Sequence, residues 1–294
     1  MEYRLELEHR GGRVDVVCDP ANPFRAPGPF GDKSVVQWPE YRAPAWLNHD
    51  GERIGATTRI AVRSRALKTA FDIQLWSSTA AGRSRAVPLL VVHDGPDYRS
   101  YAALTRLLSC AVERGRLPPM RAALLPAVDR NRSYSASGAY AYALANEILP
   151  RLAAVAPTPP GRNFRIGVGA SLGALAMMHA HRSYPESFGA LFLQSGSFFV
   201  PELDAQESRF ARWGPITRFV ERLLNGPAPT TPIPVAMTCG TAEENLGNNR
   251  VMAEALARQG YGCSLSEHRD AHNWISWRDA LDPPLLALAA VVWA

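Results

Sequence analysis

Near the N-terminus, residues 3–8 and 13–18 alternate apolar and polar side chains on either side of Gly11-Gly12. A period of two with a glycine pair between predicts two strands joined by a turn. A stretch rich in Pro and Gly, from Asp19 to about Pro44, then breaks the pattern. Residues 59–65 and 70–76 read as two further strands. From Pro88 onward strand-like and helix-like segments alternate. Residues 89–93, 122–128, 164–168, 190–194, 233–238 and 262–268 have the strand pattern. Residues 101–113, 139–152, 171–183, 208–224, 248–259 and 274–293 have the helical one, the last interrupted at Pro283-Pro284. Residues 89–93 form a continuous apolar run, as in a strand covered on both faces. Regular alternation predicts a mostly parallel sheet between two layers of helices, an α/β/α sandwich. The expected organisation is a small β-rich region, 1–57, and an α/β domain, 58–294. No repeat or low-complexity segment interrupts it.

One junction carries chemistry. Gly169-Ala170-Ser171-Leu172-Gly173 follows the strand at 164–168 and opens the helix at 171–183. Strand, G-x-S-x-G and helix in that order form a nucleophile elbow of the α/β-hydrolase type. The turn is so tight that bulky residues two positions either side of the serine would clash, so glycines occupy both. Ser171 is the expected nucleophile.

A serine hydroxyl needs a base to take its proton, and the base needs a carboxylate to hold its tautomer. In this fold they follow the serine in the order acid, then histidine, each on a loop after a strand. His272 lies just past the strand at 262–268 and is the expected base. His268, at a strand end, is its nearest rival, and His93 ends another strand. His9, His49, His179 and His181 lie outside this loop context. The loop after 233–238 offers Glu243 or Glu244 as the acid, with Asp270 a weaker alternative. The oxyanion is expected to be held by the backbone N–H groups of Leu172 and Gly95, since Pro96 has none to give. Asp94, Tyr98, Arg130, Arg132 and Trp274 sit in loops at the same end of the expected sheet and are candidate substrate-binding residues. Either arginine suits an anionic or catechol-type group. Trp277 is expected to pack the last helix.

Composition narrows the function classes. The chain has 294 residues, 47% of them hydrophobic, ample for a large core. The net charge is +5, almost all of it from scattered arginines; Lys33 and Lys68 are the two lysines. No basic run or interleaved aromatic stripe points to nucleic acid. A mild attraction for anionic substrates remains. The four cysteines show no C-x-x-C spacing, so no metal is expected. The charged, alternating N-terminus does not read as a signal peptide, and no apolar run reaches membrane-span length. A cytoplasmic protein with free thiols is expected.

With these motifs in place, the chain resembles the putative-esterase family of α/β-hydrolases, in its enterochelin-esterase-like branch. The resemblance rests on Val91-Val92-His93-Asp94-Gly95, the elbow with Ala174, Tyr184-Pro185-Glu186-Ser187-Phe188-Gly189, Leu193-Gln194-Ser195-Gly196-Ser197, and residues Ala271-His272-Asn273-Trp274-Ile275-Ser276-Trp277-Arg278. It covers about Pro88 to the end. It implies a serine esterase with Ser171 as nucleophile, His272 as base and no cofactor. Gly240-Thr241-Ala242-Glu243 ahead of Asn249-Arg250 matches a family pattern and favours Glu243 as the acid. Better-known members cleave catecholate siderophore trilactones, so a siderophore or other macrolactone ester, a ferric siderophore among them, is the implied substrate. Two departures stand out. Asp270-Ala271-His272-Asn273 replaces the usual Gly-Gly-His-Asp. Arg132-Ser133-Tyr134-Ser135 is the nearest equivalent of an Arg-x-x-Glu-Leu loop. Two rival readings are an acyltransferase on the same scaffold and a non-catalytic binding protein. A homodimer stays open.

Overall fold

The computed structural model describes residues 1–48, 55–82 and 85–293. Two small sheets come first. Strands β2 (Leu5–Glu8) and β3 (Val14–Val17) form the expected hairpin, with Gly11 and Gly12 at φ of 103° and 83° in its turn. Strands β1 (Glu2–Tyr3), β4 (Arg25–Ala26) and β5 (Lys33–Val35) form a second sheet. Tyr3 therefore pairs not within the hairpin but with a strand from the Pro/Gly-rich segment, where the pattern predicts no element. Its phenol donates to Asp19, and Asn22 Nδ2 donates to the Val35 carbonyl, so side chains pin this segment.

The main sheet has eight strands in the order β13-β12-β11-β10-β8-β9-β7-β6. They are β6 (Ala56–Ser64), β7 (Thr69–Ser77), β8 (Leu89–Val92), β9 (Arg121–Leu124), β10 (Arg165–Ala170), β11 (Ala190–Gln194), β12 (Pro234–Gly240) and β13 (Gly262–His268). From β8 to β13 every pairing is parallel; β7 runs antiparallel to both β9 and β6. The parallel part is covered on both faces. Leu89, Val91, Leu191, Leu193 and Met237 point into one core, and Leu90, Val92, Ile166, Val168 and Phe192 into the other. This is the period of two acting on central strands whose two faces are both buried.

Helices α4 (Gly138–Ala143), α5 (Leu149–Val155), α6 (Leu172–Ser183), α7 (Trp213–Asn225) and α8 (Leu246–Arg258) pack on the first face, with a π turn over Leu144–Ile148 joining α4 to α5. Helices α1 (Gly95–Tyr101), α2 (Leu104–Glu113), α9 (Trp274–Asp279) and α10 (Pro284–Trp293) cover the second. The single helix expected over 101–113 is two, broken at Ala103 with φ 48°. A short helix, α3 (Arg130–Tyr134), replaces the expected loop after β9.

Because the central strands are parallel, their C-terminal ends share one edge, where ligands bind in open α/β sheets. Four non-glycine residues on this edge have positive φ: Asp94 after β8, Asp129 after β9, Ser171 after β10 and Ser195 after β11, between 44° and 56°.

Candidate active site

Ser171 forms the turn between β10 and α6, with φ 56° and ψ −125°. Its N–H donates to the Gln194 carbonyl at 2.9 Å, and its own carbonyl accepts from Ser197 N–H at 3.2 Å, so β11 holds the turn from both sides. A Cβ on Gly169 would lie 2.4 Å from the Gly173 carbonyl oxygen, which is why no larger residue fits there. The Ser171 Oγ lies 3.2 Å from the Ser197 Oγ. Leu172 begins α6, where a backbone N–H has no intrahelical acceptor.

Glu243, in the loop after β12, is the acid nearest the histidine. Its Oε2 lies 2.7 Å from His272 Nδ1. Its Oε1 accepts from the Ser195 hydroxyl and from the Gly240 N–H, each at 2.7 Å. Ser195 in turn accepts from the Trp277 indole N–H at 2.9 Å. Burial alone would raise the Glu243 pKa, but the hydrogen bonds from His272, Ser195 and Gly240 outweigh it and hold the carboxyl below its ordinary value. An ionised acid that accepts from Nδ1 leaves Nε2 as the free imidazole nitrogen. The Trp277 ring also meets the His272 ring edge-on at 4.9 Å. His272 and Ser171 line one open cavity of about 490 Å³ with Leu172, Ser197 and Phe199.

The other candidates fall elsewhere. Glu244 is exposed at the cavity rim. Asp270 caps its own turn, accepting from Ala271 N–H and Asn273 Nδ2. His268 is hydrogen-bonded to Ser276 at 2.7 Å, and burial lowers its pKa. His93 is fully buried beneath the elbow. Its Nδ1 meets the Gly173 carbonyl at 2.9 Å, its ring stacks on Tyr134, and burial pushes its pKa down to about 4. His49 lies outside the described residues.

The expectation of a Gly95 oxyanion donor needs correcting. Gly95 N–H donates to the Leu125 carbonyl at 2.9 Å. The glycine is required for a different reason: a Cβ there would fall 2.3 Å from Leu124 Cα. Nor does the cavity beside Ser171 include Asp94, Tyr98, Arg130, Arg132 or Trp274. Asp94 is buried and accepts from Arg130 Nε and Nη2 at 3.0–3.1 Å. Arg130 also lies over the Tyr134 ring. Tyr98 is buried, its phenol donating to Gln194 at 2.8 Å, and Trp274 packs edge-on against it. These side chains brace the loops behind the site. Arg132 is exposed on a separate cavity.

Ser195 and Ser197 enter the sequence reading only as part of a run that carries the resemblance, with no role of their own. Their signal was the Gln-Ser-Gly-Ser run at the end of a strand neighbouring the elbow, where small hydroxyls fit against a tight turn. Among the described residues no group of three or more His, Cys, Asp or Glu side chains forms a metal site, and no helix is long and apolar enough to cross a membrane.

The Esterase family model, described as "Putative esterase", matches residues 64–288. This chain belongs to that family. The esterase-family chain is similar to the iron(III) enterobactin esterase of Dickeya dadantii, 26% identical over 227 residues, which are 74% of this chain and 52% of that protein. It is similar to the iron(III) enterobactin esterase of Escherichia coli K12, 26% identical over 211 residues, 69% and 52% of the two. The chain thus spans about half the length of the curated relatives it matches. In structure it resembles the enterobactin esterase of Shigella flexneri solved in the presence of enterobactin, with a TM-score of 0.76 at 21% identity over 95% of this chain and 69% of that one. A ferulic acid esterase matches with a TM-score of 0.67 at 16% identity, over 80% and 98%. The fold is that of the α/β-hydrolases.

Proposed function

We propose that this esterase-family protein hydrolyses carboxylic esters through an acyl-enzyme on Ser171. The observation that carries the reading is the 2.7 Å contact between His272 Nδ1 and the buried Glu243 carboxylate, in the same cavity as a serine on a strained elbow. His272 Nε2 takes the Ser171 proton as Oγ attacks the ester carbonyl. Glu243 keeps the Nδ1–H tautomer and stabilises the imidazolium. The developing oxyanion takes a hydrogen bond from Leu172 N–H. With Gly95 N–H engaged by Leu125, the Ser197 hydroxyl serves as a second donor in this reading; its 3.2 Å separation from Ser171 Oγ supports that role. The alcohol leaves with the proton from His272. Water, deprotonated by the same histidine, then cleaves the acyl-enzyme.

The proposed substrates are siderophore trilactones or other macrolactones, supported by the enterobactin esterases among the relatives. The proposed setting is the cytoplasm, in keeping with four free cysteines. Residues 1–57 are proposed as a small appendage to the catalytic domain, although β6 of the main sheet already begins at Ala56.

The test is hydrolysis of p-nitrophenyl butyrate beside a ferric and an iron-free catecholate trilactone, with wild type and Ser171→Ala. Trilactone cleavage that disappears in the variant supports the full proposal. Cleavage of the small ester alone retains the mechanism and removes the substrate. Acyl transfer to an added alcohol in preference to water would make the protein a transferase. Failure of a serine-directed phosphonate to label Ser171 would point to a binding protein.

A further inference from the structure

A second cavity, of about 650 Å³, opens beside the catalytic one and has a different electrostatic character. Its lining includes Lys68, Arg132 and Arg212, which come from three separate stretches of the chain, against a single acid, Asp129. None of the three cations forms an ion pair among the described residues, and the Nε of Arg212 is buried with no hydrogen-bond partner. Ser137, whose hydroxyl accepts from Tyr140 N–H, also lines this cavity. The catalytic cavity is the reverse. It carries Glu207, Glu243 and Glu244 and no lysine or arginine among its described lining.

The backbone that carries two of these cations is held in position. Lys68 sits at φ 53° in the tight turn between β6 and β7. Glu147, from the π turn, fastens that turn by accepting from Arg65 N–H at 3.1 Å, Ala66 N–H at 3.2 Å and the Ser64 hydroxyl. π turns inside helices are frequent at functional sites. Arg212 is likewise tied to the catalytic side. Phe210, two residues before it, lines the catalytic cavity, and Trp213, next after it, stacks on Phe199 of the same lining at 5.5 Å. One stretch of chain, 210–213, therefore reaches both cavities.

Like charges around one recess repel one another, and an anion bound there would relieve that repulsion and give the orphaned Nε of Arg212 a partner. We propose that this recess is an anion-binding subsite that seats a carboxylate or phosphate group of the ester substrate while the ester bond lies at Ser171. The placement of the ester rests on the esterase reading above; the anion site does not.

The experiment has two arms. In the first, succinate and inorganic phosphate are titrated calorimetrically, at low salt, into wild type, Ser171→Ala, the Lys68→Gln/Arg212→Gln double variant and Arg212→Lys. The expected result is saturable binding that weakens with salt, survives Ser171→Ala and Arg212→Lys, and is lost by about tenfold or more in the double variant. Which anion binds more tightly identifies the group. No saturable binding of either anion by wild type, undiminished binding by the double variant, or loss in Ser171→Ala would overturn the site. In the second arm, kcat/KM is compared for a carboxylate-bearing aryl ester and a neutral ester of the same length. The anionic-to-neutral ratio is expected to fall about tenfold in the double variant. An unchanged ratio would overturn the role in substrate binding. If wild type cleaves neither these esters nor the trilactones, the esterase reading fails, and the titration still decides the anion site.

Discussion

Replacing Ser195 by alanine removes one hydroxyl from the hydrogen-bond chain that runs from Trp277 through Ser195 to Glu243, at 2.9 and 2.7 Å. All three residues are buried. A hydrogen bond to a charged group contributes roughly 1.5–3 kcal/mol, and an orphaned buried N–H costs about 1–3 kcal/mol. The two losses share one hydroxyl, so a destabilisation of about 3 kcal/mol is expected. For a domain of this size that lowers Tm by roughly 6–12 °C. Catalysis is expected to suffer less, because the Glu243 Oε2 contact with His272 remains and Gly240 N–H still holds Oε1. A loss in kcat within about tenfold is the expectation, against about 10⁴-fold for removing the charge of a triad acid. The pH dependence has a definite sign. The folded Glu243 pKa lies below the ordinary 4.5 of a glutamate carboxyl, so its stabilising contribution is complete above that value and is lost as pH falls through the folded pKa. Ser195→Ala takes away one cause of the lowering, so the contribution becomes smaller and its loss is complete at a higher pH. Thermal melts across the acid range, with initial rates on p-nitrophenyl butyrate, test this. A wild-type Tm in Ser195→Ala, or activity as low as that of Glu243→Gln, would refute the reasoning.

Glu243→Gln is expected to lower kcat by about 10⁴-fold, while Glu244→Gln leaves it within about twofold; the reverse result, in steady-state kinetics, would move the acid by one residue. Gly95→Ala should unfold or strongly destabilise the protein in a denaturant titration, since its Cβ would fall 2.3 Å from Leu124 Cα. Acid should destabilise the fold through His93, whose pKa is pushed down to about 4 by burial. The unfolded chain binds that proton more readily, so this contribution is complete above the unfolded value and is lost as pH falls from about 6.5 towards 4, on the order of 3 kcal/mol in all. His93→Gln should flatten that part of a stability-against-pH curve.

The strand and helix order from Pro88 onward was legible because buried parallel strands are apolar throughout and the helices between them are periodic. The elbow was legible for a different reason: a tight turn restricts which residues fit at fixed offsets from Ser171. What escaped was local competition for hydrogen bonds. Gly95 permits a close approach in either reading, and no sequence pattern says that Leu125 claims its N–H. Arg130 and Arg132 look alike in sequence, yet the buried Asp94 draws one inward and leaves the other on the surface. Ser195 and Ser197 stand in a run that carries the family resemblance, yet a serine has no periodic signal to assign it a role; only the packing of the segment after β11 against the elbow gives them one. The β4 and β5 pairing was hidden because strands of two or three residues are too short to show alternation.

The four non-glycine residues at positive φ along the sheet's C-terminal edge bear on how this protein would respond to engineering. A left-handed conformation costs an ordinary residue roughly 1–2 kcal/mol that glycine escapes. At Ser171 the backbone alone would prefer glycine, whereas at Ser195 the two buried hydrogen bonds of the hydroxyl outweigh that preference. A screen that selects only for heat resistance has a reason to place glycine at Ser171 and, on the esterase reading, to return a sturdier, silent protein. Selection for turnover at high temperature would have to leave this edge alone and take its gains from the opposite end of the sheet.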